Sequence, residues 1–365
     1  REVMMFTGSY DSTDVEILLK PIDIVDTPMV EKEALIQSGR RHYSEMISYE
    51  RLPSPRYLRV FHEAMAQNRQ RMAADVARLA RLIADRHAGA ITLVSLARAG
   101  TPVGALLRHT LERHFQRRAS HFSVSIIRDR GVDANALRYI LGRGYRDTSL
   151  VFVDGWTGKG VIAGELAEAI AAFNRAHGTE VSADLYVLAD LAGGAAVAAS
   201  AEDYLIPSSI LNATISGLIS RSILNRDYIG PDDFHGCRYY AEYVASDLSR
   251  WFVEALLSTI DVVMDAPLPA WQAPDRPRLQ EASRSFLQWV ALHFGVRDPN
   301  RVKPGLGEAT RVLLRRVPDL LLVRDPREPS VRHLLVLARE RQVPVEHAPR
   351  LPYRAAALIR GIAHD

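Results

Sequence analysis

One cysteine in 365 residues, Cys237, leaves no partner for an internal disulfide and too few thiols for a cysteine-built metal cluster. That scarcity fits a reducing compartment, so a cytoplasmic protein is expected and the Asn212-Ala213-Thr214 sequon reads as structure rather than glycosylation. No window approaches eighteen uninterrupted apolar residues, which argues against a membrane-spanning helix. No basic stretch followed by an apolar run stands near the start, so no secretory leader is expected. Internal repeats and low-complexity tracts are also missing. What is present is 47% hydrophobic and 24% charged, the balance of a soluble globular chain. The length exceeds what one core usually fills, so two domains are expected.

The net charge of +3 is unevenly spread. From Pro299 onward there are thirteen Lys or Arg, among them Arg311, Arg315, Arg316, Arg339 and Arg341, against seven Asp or Glu. The last 67 residues thus carry about +6 and the rest is slightly acidic. Such a tail suits phosphate contacts with nucleic acid, although arginines placed for solubility give the same count.

Residues 1–60 read as an N-terminal arm or cap, with a short apolar segment at 15–19. Pro53-Ser54-Pro55 marks a turn before a long helix over 57–86. A βαβ pattern follows. Strands are predicted at 90–96, 122–127, 149–153, 185–189 and 203–206, with helices over 103–116 and 161–177. Strands alternating with helices imply a mostly parallel sheet covered on both faces, whose ligands bind at the carboxyl edge. Residues 61–265 form this domain. Residues 266–298, rich in proline at first, read as linker and helix, and 299–365 as a compact α/β unit. Within that unit, helices are predicted over 307–316, 331–341 and 353–362, and strands over 320–323 and 343–346.

Two strand-to-helix turns carry the candidate chemistry. In Ala97-Arg98-Ala99-Gly100-Thr101, small residues let backbone N–H groups approach an anion while Arg98 adds a planar donor fork. In Asp154-Gly155-Trp156-Thr157-Gly158-Lys159-Gly160, glycines can cradle a phosphate, Thr157 and Lys159 can donate to it, and Asp154 can reach ribose hydroxyls or a metal. The spacing is not that of a Walker loop. Trp156 fits either stacking on a base or ribose, or burial in the core. Arg128-Asp129-Arg130 after the second strand reads as a charged loop able to close over the site. Ser208, Ser209, Asn212, Thr214, Ser216 and Arg221 read as a polar helical stretch that either lines the pocket or caps neighbouring backbone. Arg40-Arg41-His42-Tyr43 reads as surface.

The first turn resembles the pyrophosphate-binding loop of type I phosphoribosyltransferases, and residues 151–160 resemble their phosphoribosyl-diphosphate signature. More closely, SLARAGTP (95–102), SIIRDRGVD (125–133), FVDGWTGKG (152–160), EDYLIPSSILNATISGL (202–218) and DFHGCRYY (233–240) are together similar to one bacterial family. That family belongs to tellurite-resistance and stress-response gene clusters, is described as phosphoribosyltransferase-related, and is also labelled cysteine protease StiP. Residues 303–354 are similar to the Pelota-type RNA-binding domain that accompanies it. The resemblance implies a type I phosphoribosyltransferase-like α/β fold with a small C-terminal Pelota-like domain. It also implies a phosphoribosyl diphosphate (PRPP) donor with Mg²⁺, a phosphorylated sugar or nucleotide substrate, and an RNA partner. The sequence departs from the signature where Gly155 follows Asp154, since two adjacent acids are usual there.

On this basis Arg98, Asp154 and Lys159 are the expected catalytic residues, with Asp154 also the metal ligand. Ala97, Ala99, Gly100, Thr101, Arg128, Asp129, Arg130, Gly155, Trp156, Thr157, Gly158 and Gly160 are the expected donor-binding residues. A cysteine hydrolase needs a base beside its thiol, which makes Cys237 and His235 the alternative nucleophile and base. Other bases are His42 and His121, with Asp232, Asp233 or Asn212 to orient one. A third reading is a non-catalytic sugar-phosphate sensor coupled to RNA binding. The oligomeric state is left open.

Overall fold

The strands alternate with period two, and that alternation builds the main sheet. In Ile91–Ala97, Ile91 and Leu93 face one apolar layer while Val94 and Leu96 face another. The computed structural model, which describes residues 4–360, shows helices Pro55–Arg86, Gly100–His114 and Ser249–Val263 over the first layer. Helices Ala134–Gly142 and Val161–His177 cover the second. The long helix starts where Ser54 Oγ accepts from the Tyr57 N–H and Pro55 needs no hydrogen bond.

Six strands lie parallel, in the order Glu16–Leu18, Ala119–Ile127, Ile91–Ala97, Leu150–Thr157, Leu185–Asp190, Val197–Ser200. A seventh, Gly131–Val132, pairs antiparallel with Ala119–Ile127. Part of the expected arm is therefore an edge strand of this sheet. Outward from Ile91–Ala97 the next strand in sequence lies on one side, and outward from Leu150–Thr157 the later strands lie on the other. Chain order reverses between these two, where the helices that follow them leave on opposite faces. Such a switch point opens a crevice at the carboxyl edge.

The C-terminal unit is a four-stranded sheet ordered Val302–Pro304, Ala355–Leu358, Leu320–Val323, Val345–His347, with helices Leu306–Arg315 and Arg332–Glu340. The helix expected over 353–362 is instead the strand Ala355–Leu358. Its residues are buried between two neighbouring strands, and tertiary pairing overrides the helical propensity of an alanine run. Ile362 lies outside the described residues.

Two further expectations are corrected. The last parallel strand is Val197–Ser200, while 203–206 is irregular because the Asp203 carboxylate is committed to the Leu306 and Arg354 backbone N–H groups. The polar stretch 208–221 is not a helix. It forms two 3-10 turns, Pro207–Ser209 and Ala213–Ile215, in which Ser209 and Ser216 hydroxyls bond the Ile206 and Asn212 carbonyls in place of a helical ladder.

One apolar cluster runs without a break from the main sheet into Leu306, Ala309, Leu313 and Leu321 of the C-terminal unit. Gly305, at φ +92°, takes a backbone conformation that favours glycine, and a β-carbon there would stand 3.0 Å from the end of the Leu191 side chain. The two units pack as one interior.

Candidate functional site

The two turns singled out in the sequence follow neighbouring strands and meet at the switch point. Gly155 backs onto the Ala99 carbonyl, 3.7 Å from where a β-carbon would stand. Between the turns opens a cavity of about 220 Å³ lined by Ala99, Arg128, Asp154, Trp156, the 157–163 segment, Leu185, Lys303 and Glu308.

The second turn lines the cavity from Trp156 to Gly160. Helix Val161–His177 begins at Gly160, φ +77°, with no side-chain cap, and the N–H groups of Gly158, Lys159 and Gly160 meet no acceptor among the described residues. Backbone donors without a partner among the described residues therefore sit at the positive end of a helix that borders the cavity. Asp154 lies on the wall, where burial pushes its carboxyl up to about 7 against the pull of the Gly155 N–H at 2.8 Å. Burial, with Lys303 beside it, brings Lys159 down to about 8.

Some expected donors are turned elsewhere. The Thr157 hydroxyl donates to buried Asp190, whose carboxylate also accepts from the N–H groups of Ala192, Gly194 and Ala195. Lys159 Nζ donates to the carbonyls of Pro299 (2.8 Å) and Val302 (3.1 Å) while keeping its place on the cavity wall. Trp156 is half-buried and lines the cavity, so neither reading of it is displaced.

In the first turn Ala99 reaches the cavity and the other residues brace it. The Ala97–Arg98 peptide is cis. Arg98 pairs with Glu50 and donates to the Ile219 carbonyl at 3.1 Å, away from the cavity lining. Thr101 is buried, its hydroxyl 2.7 Å from Ser123 Oγ and its N–H on the Arg98 carbonyl. Gly100 is buried against the strand beneath Asp154. Of the charged loop, only Arg128 lines the cavity. Its N–H donates to the Tyr43 hydroxyl at 2.8 Å, so Tyr43 is braced inward rather than left on the surface. Asp129 turns to His42, 3.6 Å away, its N–H on Glu165, and Arg130 is exposed.

The thiol and its expected base are apart in chemistry though near in sequence. Cys237 is fully buried in the short strand Gly236–Cys237, and desolvation pushes its thiol far up. His235 gives Nδ1 to Ser125 Oγ at 2.7 Å, with Asp133 on its other side, instead of to sulfur. His121 is locked between the Asp14 carbonyl and Ser95, and burial lowers it to about 3. His42 caps a 3-10 turn through Ser44. Asp233 pairs with Lys20 at 2.8 Å, Asp232 is exposed, and Asn212 accepts from Arg311. Ser125, His235 and Asp133 form a buried polar chain that sequence reasoning missed, because its members are 110 residues apart at most and adjacent only in space.

The sequence reading also missed Glu50, Asp190, Lys303 and Glu308. Asp190 ends a strand, which is the signal that pointed to Asp154. The pocket role of Lys303 and Glu308 depends on domain packing and has no local signal.

Residues 8–257 match the family described as tellurite-like stress resistance cysteine protease StiP. A relative named cysteine protease StiP, from Acinetobacter baylyi, is 40% identical over 97% of this chain and 94% of its own. The chain belongs to the StiP family. To the family's matched segment this chain adds residues 281–361, which match a PELOTA RNA-binding domain. Among solved structures, a hypoxanthine-guanine phosphoribosyltransferase from Bacillus anthracis is 11% identical, covering 46% of this StiP-family chain and 93% of its own, with a TM-score of 0.27. A hypoxanthine phosphoribosyltransferase from Trypanosoma cruzi is 14% identical over 49% and 92%, TM-score 0.25. Those scores are too low to carry an argument. Among the described residues, no helix is long and apolar enough to cross a membrane.

Proposed function

We propose that the crevice binds a phosphoribosyl diphosphate-type donor and that the chain is a phosphoribosyltransferase-like enzyme of the cytoplasm, serving a stress-linked nucleotide or nucleoside pathway. The observation that carries this reading is the convergence of two strand-to-helix turns, at a sheet switch point, on one cavity bordered by a helix N-terminus with unmet backbone donors among the described residues.

In this reading the amides of 158–160 and the first turn of the following helix hold the 5′-phosphate, helped by Lys159. Asp154 accepts from ribose hydroxyls. The Ala99 turn and Arg128 face the diphosphate, and Arg98 acts as a positioning residue that anchors the turn through Glu50. In the transfer, the C1–oxygen bond to pyrophosphate breaks with its electron pair leaving on pyrophosphate, and C1 bonds to the acceptor's nucleophile. Orientation and charge stabilisation account for most of such a step.

A Mg²⁺ accompanying the diphosphate fits this donor set. Asp154 is one of two carboxylates on the cavity wall, with Glu308, and no group of three or more His, Cys, Asp or Glu is gathered for a metal among the described residues. Its remaining ligands would come from the diphosphate and water, which is usual for this ion. When bound it supplies neutralisation of the diphosphate charge.

Binding of phosphoribosyl diphosphate with Mg²⁺, measured by titration calorimetry, tests the reading. Wild type is expected to bind and Asp154→Ala to lose at least tenfold in affinity; a wild type silent at millimolar donor overturns it. Pyrophosphate release on adding purine or pyrimidine acceptors separates an enzyme from a sensor. RNA binding by the C-terminal unit rests on its match to an RNA-binding domain and on the exposed Arg315, Arg316, Arg327, Arg332, Arg339 and Arg350.

A further inference from the structure

The chain has 42 arginines and only four lysines, Lys20, Lys32, Lys159 and Lys303. Two of those four face the same cavity from different domains. Lys159 comes from the turn after Leu150–Thr157, and Lys303 from the strand Val302–Pro304. Neither has a carboxylate within ion-pair distance among the described residues, and Arg128 on the same wall keeps a buried Nε without a partner. The wall acids are Glu308 and Asp154. Three cations thus line one cavity against two acids. Burial first, then Lys303 and Arg128, lowers Lys159, and burial, opposed by Glu308 and helped by Arg128, lowers Lys303. A dianionic group between the three cations relieves their repulsion.

The C-terminal wall is fixed, not tethered. Lys159 holds the Pro299 and Val302 carbonyls, Arg128 donates to Asn300, and the Gly158 carbonyl accepts from Tyr353 at 3.4 Å. With the apolar core continuous beneath, Lys303 is held at the cavity before any ligand arrives.

We propose that Lys303 is a ligand-binding residue of the pocket, holding together with Lys159 one phosphoryl group of the phosphorylated sugar, so that the site is complete only across the two domains. The inference rests on the pocket reading above and adds to it a second-domain ligand. It gives the C-terminal unit a part in small-molecule recognition besides its match to an RNA-binding domain.

The test is equilibrium binding of ribose 5-phosphate, and of phosphoribosyl diphosphate with Mg²⁺, to the full chain. Lys303→Gln is expected to weaken ribose 5-phosphate at least tenfold, and Lys303→Arg to stay within about threefold. Arg339→Gln, the same charge change at an exposed site of the same domain, is expected to leave binding unchanged. As a check independent of variant folding, lysine acylation of the wild type read by mass spectrometry is expected to fall severalfold at both Lys159 and Lys303 on adding ribose 5-phosphate, and to stay constant at Lys20 and Lys32. If wild type binds both probes and Lys303→Gln binds them equally, or if only Lys159 is protected, this inference fails and the pocket reading stands. If wild type binds neither probe, both fail.

Discussion

Gly100 lies directly against Asp154: a β-carbon on Gly100 would stand 3.3 Å from the Asp154 Cα and 2.8 Å from the Val153 carbonyl oxygen. The two turns can share a cavity only because that atom is missing. Gly100→Ala must push the strands apart at their carboxyl ends, at a cost of about 1–3 kcal/mol. The expected result is a lower urea midpoint and at least tenfold weaker binding of phosphoribosyl diphosphate. Gly164→Ala is the matched control, since nothing lies within 4 Å of its β-carbon in the helix, and a gain of about 0.5–1 kcal/mol is expected there.

Asp154 gives the pocket a pH signature. Its folded value near 7 exceeds the ordinary 3.8, so the native state holds a proton that the unfolded chain releases. Its contribution is fully present below about pH 4 and is lost as pH rises through 7. Asp154→Asn removes that loss. The variant should match wild type at pH 4 and exceed it above pH 7, by up to about 4 kcal/mol if the whole shift is realised. Urea unfolding of both proteins across pH 4–8 checks this; a constant difference over that range refutes it.

Asp190 is the unannounced keystone of the same edge. One buried carboxylate takes the Thr157 hydroxyl and three backbone N–H groups from the Ala192–Ala195 turn. Asp190→Ala strands four donors in a dry site and is expected to cost about 3–5 kcal/mol in chemical denaturation. Thr157→Val removes one of them and should cost about 1 kcal/mol.

The elements legible in the sequence were those whose cause is local. Helix Val161–His177 begins and ends as its glycines dictate, and the strand cores followed from runs such as 91–96 and 151–153. What escaped depends on partners distant in sequence. Ala355–Leu358 is a strand because Val302–Pro304 and Leu320–Val323 flank it, and nothing in three alanines and a leucine announces that. The turns of the site were legible because glycine next to a strand end has a backbone reason. The aim of Arg98 and Thr101 was not, because Glu50 and Ser123 compete for them only in the folded chain.

Cys237 offers a test of the hydrolase reading. Its thiol is fully buried, burial pushes its ionisation far up, and the nearest histidine in sequence is bonded to Ser125. Iodoacetamide is expected to modify native protein at least a hundredfold more slowly than protein in urea, since the thiolate is the reacting species. Cys237→Ala is expected to leave phosphoribosyl diphosphate affinity unchanged. Fast alkylation of the native state, or peptidase activity abolished by Cys237→Ala, would move the assignment to a cysteine hydrolase.

RNA binding must be tested without cutting the chain. Deleting the residues beyond Lys303 would uncover Leu306, Ala309 and Leu313, which belong to the core shared with the main sheet, so loss of binding in such a truncation reports unfolding. Surface substitutions avoid this. Arg332 and Arg339 are exposed on the helix Arg332–Glu340, and neither has an ion-pair partner among the described residues. The double change Arg332→Gln, Arg339→Gln is expected to keep the melting temperature and weaken single-stranded RNA binding. Each lost phosphate contact reduces the slope of log K against log salt by about 0.7. A wild-type affinity that does not respond to salt, or a double variant with an unchanged slope, removes this helix from the RNA-binding face.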